Sequence, residues 1–270
     1  MDLRDHRYGK AGVRVVKVLD GGGIVDVEVS VHLEGDFSAS YLEGDNSRVV
    51  PTDTMRNVVY ALAQDHLTSE VERFGKVLCD HFADLDQVER VDVQVESRLW
   101  STVDGHPHTQ VASGPDRRTA RVTVGEGEVE VESGIAGLRI LKTTGSAFAG
   151  FPRDRFTTLP EAADRLLATS IDAGWGYLTE PADYTELWWS VRDTLVGNFA
   201  ARPSRSVQEQ GYLMGEAVLD AHPEIGWIRL RLPNIHHLEF DLTRFDMPDR
   251  KVVFYPVDEP YGDIHLMVSR

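Results

Sequence analysis

One cysteine, Cys79, is present in 270 residues, so no intramolecular disulfide framework can form, and a reducing compartment is the simpler setting. Among Val77, Leu78 and Phe82 that residue reads as a small, inert core side chain. Basic charge is also scarce. Against 44 acidic residues stand 28 basic ones, a net charge of -16, which argues against a nucleic-acid surface and against docking on anionic membranes. Only five of the 28 are lysines, a bias with no mechanistic content. No hydrophobic run approaches the length needed to span a bilayer, and Met1 to Gly12 is charged rather than apolar. A soluble, non-secreted protein is expected. Metal ligation has little support: His106-Pro107-His108 and His236-His237 lack a third ligand at a convincing spacing.

What is present is a core's worth of apolar residues, 41% of the chain, in an alternating pattern. Val25, Val27, Val29, Val31 and Leu33 alternate with polar residues after Gly21-Gly22-Gly23, predicting a hairpin of strands over 12–20 and 24–35. Two helices follow, over 54–66 and 70–83, the second with Ser69 and Glu72 at capping-box spacing. Strands are predicted over 88–101 and 119–132, with a bulge or bend at Gly125 and Gly127, and a long loop over 104–118.

The second half repeats that order: strands over 134–144 and 171–178, helices over 184–200 and 206–221, then strands over 225–241, 251–255 and 264–269. With no strand-helix-strand rhythm, the expected class is α+β, two tandem ββααββ units (1–133 and 134–270) forming an antiparallel sheet with helices on one face.

In the strand over 225–241, Asn234 and His236 interrupt a face carrying Ile228, Leu230, Leu232, Leu238 and Phe240. Internal hydrogen bonds, a change of phase at Pro233 or a polar ligand would each account for them. Thr52 or Asp53 caps the first helix, and Ser206-Val207-Gln208-Glu209 opens the fourth, leaving outward backbone N–H groups suited to an anion. Phe148 lies in a glycine-containing loop, and Arg165 is expected on a short helix begun by Pro160.

Taken together, Tyr8-Gly9-Lys10, Thr52-Asp53, Gly137-Leu138, Phe151-Pro152-Arg153-Asp154, Ser206-Val207-Gln208 and Leu232-Pro233-Asn234-Ile235-His236 resemble the urate oxidase family of the tunnelling-fold superfamily over essentially the whole chain. Ile235 departs from the lysine usual there, on the strand face opposite Asn234 and His236. The resemblance implies oxidation of urate by O2 and water to 5-hydroxyisourate and hydrogen peroxide, with no cofactor and no metal. It also implies a homotetramer whose sixteen-stranded barrels are each closed by two chains, eight strands from each, with active sites at subunit interfaces.

By the same resemblance, Lys10, Thr52 and His236 are catalytic. Thr52, Asp53, Phe148, Arg165, Val207, Gln208 and Asn234 bind substrate, and Ile264 lines the cavity. The chemistry fits those residue types. A flat anion needs an aromatic face and in-plane donors, and a bidentate arginine is the strongest such donor. Triplet O2 does not react directly with singlet urate, so a base must first make the substrate electron-rich. A neutral, desolvated Lys10 acting through the Thr52 hydroxyl meets that need. A zinc-dependent tunnelling-fold enzyme of pterin metabolism and a purine-binding protein without oxidase chemistry are the alternatives. The chain ends Val268-Ser269-Arg270, without a Ser-Lys-Leu peroxisomal address, so a bacterial cytoplasm is expected.

Overall fold

Residues 2–248 and 250–270 are described by the computed structural model, and they divide into two compact units. Unit 1 comprises residues 1–136 and 176–188, and unit 2 comprises 137–175 and 189–270.

Unit 1 begins with β1 (Tyr8–Val18) and β2 (Ile24–Gly35), paired antiparallel as the alternation predicts. A short α1 (Ser38–Leu42), not foreseen, precedes α2 (Thr52–His66) and α3 (Val71–Ala83). β3 (Val88–Val103), β4 (His106–Gly125) and the first part of β5 (Glu128–Lys142) continue the antiparallel sheet. Its inner face, Val27, Val29, Val31, Leu33, Val91, Val93 and Val122, is sealed by Met55, Val59, Phe74, Leu78 and Phe82 of the two helices. α3 approaches β4 so closely that a Cβ on Gly75 would lie 2.7 Å from Val122 Cγ2. Cys79 sits in this core, and burial pushes its thiol up to about 12.

Unit 2 holds the rest of β5, most of β6 (Leu167–Tyr177), most of α4 (Tyr184–Ala201), α5 (Val207–Ala221), β7 (Ile225–Arg231), β8 (Asn234–Glu239), β9 (Phe254–Gly262) and β10 (His265–Ser269). α5 lies against the β7–β10 pair through Gly211 and Gly215, where a Cβ would come within 2.8 Å of Leu266 and 2.7 Å of Val268. The class is α+β, with every ladder between strands antiparallel among those described.

Several expectations change. The stretch 119–132 is two strands, not one bulged strand: Glu126 and Gly127, at φ +53° and +81°, make a two-residue turn between Gly125 and Glu128. Two consecutive positive φ values match the twist of a hairpin, so the chain reverses there. The predicted loop over 104–118 is mostly β4, which returns at Gly105 and pairs Trp100 with Ala112 and Ser101 with Val111. Residues 106–115 are almost all exposed, and backbone pairing needs no apolar face.

The strand over 225–241 is broken at Leu232-Pro233, because proline has no N–H to give to a ladder. Ser69 and Glu72 form no capping box. Glu72 is fully buried and instead accepts from Arg118 and Ser133.

Candidate active site

In unit 2 the chain around residue 146 organises a cluster of the expected site residues. Ser146 bridges Ser204, and Phe148 bridges Ala162, with Phe148 N donating to Ala162 O at 2.8 Å and Ala162 N returning to Phe148 O at 2.9 Å. Arg165 N donates to Ser146 O at 2.7 Å. The Asp164 carboxylate, exposed, takes Gly145 N at 2.7 Å, Ser146 N at 3.1 Å and the Thr144 hydroxyl, which hold its pKa below the usual range. These bonds tie 162–165 to 144–148 in a non-helical conformation, with bends at Ala163 and Asp164. The short helix expected for Arg165 is therefore absent, because its backbone groups are used by the neighbouring segment.

The same arrangement sets side chains. The Arg165 guanidinium carbon lies 5.2 Å from the Phe148 ring centroid, and the Phe151 ring stacks on Phe148 at 5.0 Å and 16°. Arg165 is half-buried and desolvation lowers its pKa, yet among the described residues no carboxylate pairs with it and its buried Nε has no acceptor. A cation withdrawn from water without a counter-ion, against an aromatic face, suits a planar anion.

The bridge from Ser146 to Ser204 leads into the start of α5. Ser206 caps it, its Oγ accepting Glu209 N at 3.0 Å, while Glu209 reaches back to Arg205 N at 2.8 Å. The predicted cap forms, with the returning bond one residue earlier than a standard capping box. Val207 is buried and Gln208 exposed, and their N–H groups meet no acceptor among the described residues.

Asn234 and His236 are half-buried on β8, and their side chains make no hydrogen bond among the described residues. Of the alternatives left open, an internal hydrogen-bonded role is not realised; at Pro233 the chain passes from β7, paired with β10, to β8, paired with β9. Asn234 pairs with Gly262, and a Cβ there would stand 3.7 Å from both Asn234 Cβ and Ile264 Cδ1, so Asn234 and Ile264 both adjoin Gly262. Ile235, as expected, faces elsewhere: with His237, Arg139 and Asp258 it lines a separate cavity of about 400 Å³.

Lys10, Thr52 and Asp53 belong to unit 1. The cap of α2 is Pro51, with Thr52 and Asp53 already in the first turn; the preceding proline fixes the entry, and neither side chain caps the helix. Asp53 instead pairs with Arg56 at 2.8 Å. Tyr8, quoted in the sequence motif but given no task, donates nothing to another described residue and accepts Val50 N at 2.8 Å. Its position two residues before Lys10 is the signal that could have marked it. No cluster of three metal-ligating side chains occurs among the described residues.

The sequence profile described as uricase matches residues 6–123 and 131–265. The chain belongs to the uricase family. It is 40% identical to the uricase of Arthrobacter globiformis over 272 residues, 99% of this chain and 90% of that one. With the uricase of Dictyostelium discoideum the identity is 38% over 279 residues, 99% and 97% of the two chains. The crystal structure of the Arthrobacter globiformis uricase superposes with a TM-score of 0.96 over 100% of this chain and 95% of that chain. The chain is a urate oxidase, EC 1.7.3.3, an enzyme of purine catabolism acting on urate and O2. Among the described residues no helix is long and apolar enough to cross a membrane.

Proposed function

We propose that urate lies on the Phe148 ring, held in its plane by the Arg165 fork, the Val207 N–H and the Gln208 side chain. Arg165 carries this reading: it is a half-buried cation beside an aromatic face, with no carboxylate partner among the described residues and a buried Nε that meets no acceptor. Thr52 and Asp53 meet the opposite edge of the substrate. Lys10 draws the Thr52 proton, Thr52 draws the substrate's, and the electron-rich urate passes electrons to O2 above the ring. Asn234 and Thr52 hold O2, peroxide and water in turn, with Ile264 beside them, and His236 extends the proton path. The net change is urate with O2 and water to 5-hydroxyisourate and hydrogen peroxide, and the scheme uses no bound cofactor.

The assembly is part of the proposal. Two tandem ββααββ repeats, 1–133 and 134–270, form one protomer, and two protomers close a barrel with the helices outside. Two barrels stack into a homotetramer, with Lys10, Thr52 and Asp53 of one chain completing the site of its neighbour. The exposed backbone of an unpaired edge strand supports closure by a second copy. A cytoplasmic location fits the free, buried Cys79 and the bacterial relative. Peroxide release with urate, measured with metal analysis of the same sample, tests the chemistry: peroxide formed without stoichiometric metal is expected, and no urate-dependent peroxide would overturn it. Light scattering at assay concentration tests the assembly, and a fully active monomer would refute it.

A further inference from the structure

Two tyrosines clamp β1 to α2 in opposite senses. Tyr8, on the strand, accepts the Val50 N–H with its hydroxyl at 2.8 Å, just before the helix begins. Tyr60, on the helix, donates its hydroxyl to Arg14 O on the strand at 3.1 Å. The residue order of the two clamps shows that strand and helix run the same way, Tyr8 to Arg14 beside Val50 to Tyr60. Lys10 and Thr52 both lie between the clamps, each two residues past the first one.

The strand face agrees. Tyr8 stands opposite Leu33 and Lys10 opposite Val31, and both partners are fully buried under the helices, so the Lys10 side chain leaves the sheet on the side where α2 lies. Past Lys10 the register slips at Gly12, at φ +72°, and Val13 and Val15 take over that face. Lys10 is thus the last residue set by the first clamp before the strand changes phase. The Tyr8 ring is itself fixed edge-on to Phe37 at 4.8 Å.

We infer that Tyr8 and Tyr60 are positioning residues that hold Lys10 in register with Thr52, a deepening of the relay proposed above. The hydroxyls act through the backbone at Val50 and Arg14 and touch neither substrate nor oxygen. A shift of about 1 Å between two reacting groups is enough to lower a rate by orders of magnitude, so loss of one clamp should be visible in turnover.

The test is a double-mutant cycle with steady-state kinetics. Tyr8→Phe keeps the ring against Phe37 and removes only the acceptor, and it should lower kcat about tenfold while KM for urate moves less than about twofold. Tyr60→Phe should act in the same direction, and the thermal midpoint of each variant shows that the fold is retained. In a Lys10→Met background, Tyr8→Phe should cost nothing further, because the group it aligns is gone. An equal loss of kcat in both backgrounds would make Tyr8 merely structural and overturn the inference, as would an unchanged kcat in both tyrosine variants. Wild-type turnover in Lys10→Met alone would instead remove the relay itself and the inference with it.

Discussion

Arg118 Nη2 lies 2.6 Å from Glu72 Oε2 in unit 1, with the two side chains 5% and 0% exposed. Ser133 donates to the other carboxylate oxygen, and Tyr177 donates to Ser133 at 2.6 Å. Arg118 Nη1 donates to Ser69 O at 2.9 Å and to the Thr185 hydroxyl at 3.0 Å, while its buried Nε has no acceptor among the described residues. The group ties α3, β4, β5 and the segment 176–188 together, which are distant in sequence. Removing one charge strands the other in the core. Arg118→Leu should therefore destabilise the protein by about 3–5 kcal/mol, measured by urea denaturation. A loss below about 1 kcal/mol would show that water reaches Glu72.

Arg165→Ala should weaken a non-reactive purine analogue by roughly 10- to 100-fold in calorimetry, because a charge-assisted bond contributes about 1.5–3 kcal/mol. Arg165→Lys should recover little of that, since an ammonium cannot reproduce the planar fork. Gln208→Ala should cost less than Arg165→Ala, and equal, negligible losses would place the site elsewhere.

For Lys10 and Thr52 the expectation is non-additivity. Lys10→Met and Thr52→Val should each remove most of the turnover that the double variant loses, as members of one relay do. Analogue affinity should change little in Lys10→Met. Losses that sum in free energy would leave Lys10 an electrostatic role and point to His236 as the base.

Cys79, whose thiol is pushed from 9.0 to about 12 by burial, should resist a disulfide reagent until the protein unfolds. The linkage has a definite sign. Above pH 9 the unfolded thiol loses its proton while the folded one keeps it, so the unfolded state binds fewer protons and stability falls from about pH 9 to about 12. Cys79→Ala should reduce that decline relative to the parent protein. Rapid thiol modification of the native enzyme at neutral pH would contradict the burial.

The hairpin of β1 and β2, the helices α2, α3, α4 and α5 and the motif residues themselves were legible in the sequence, because local alternation, helical periodicity and the Ser206 cap are encoded within a few residues. The positive-φ turn at Glu126-Gly127 was encoded as locally, and was read as a bulge because apolar alternation resumes on both sides of it. The exposed pairing of residues 106–115 of β4 left no hydrophobic trace to read.

Other features exist only once distant segments meet. Arg165 is held in irregular chain by Ser146, so the segment beside it overrides its local helical expectation. Glu72, spaced for a cap, is claimed instead by Arg118 and Ser133, because a buried carboxylate gains more from a cation and a hydroxyl than from one backbone N–H. The register of Lys10 against Thr52 likewise depends on hydrogen bonds from Val50 N to Tyr8 and from Tyr60 to Arg14 O, pairs separated by 42 and 46 residues. A sequence pattern records which side chains can make such bonds; closing the chain between them decides which bonds are made.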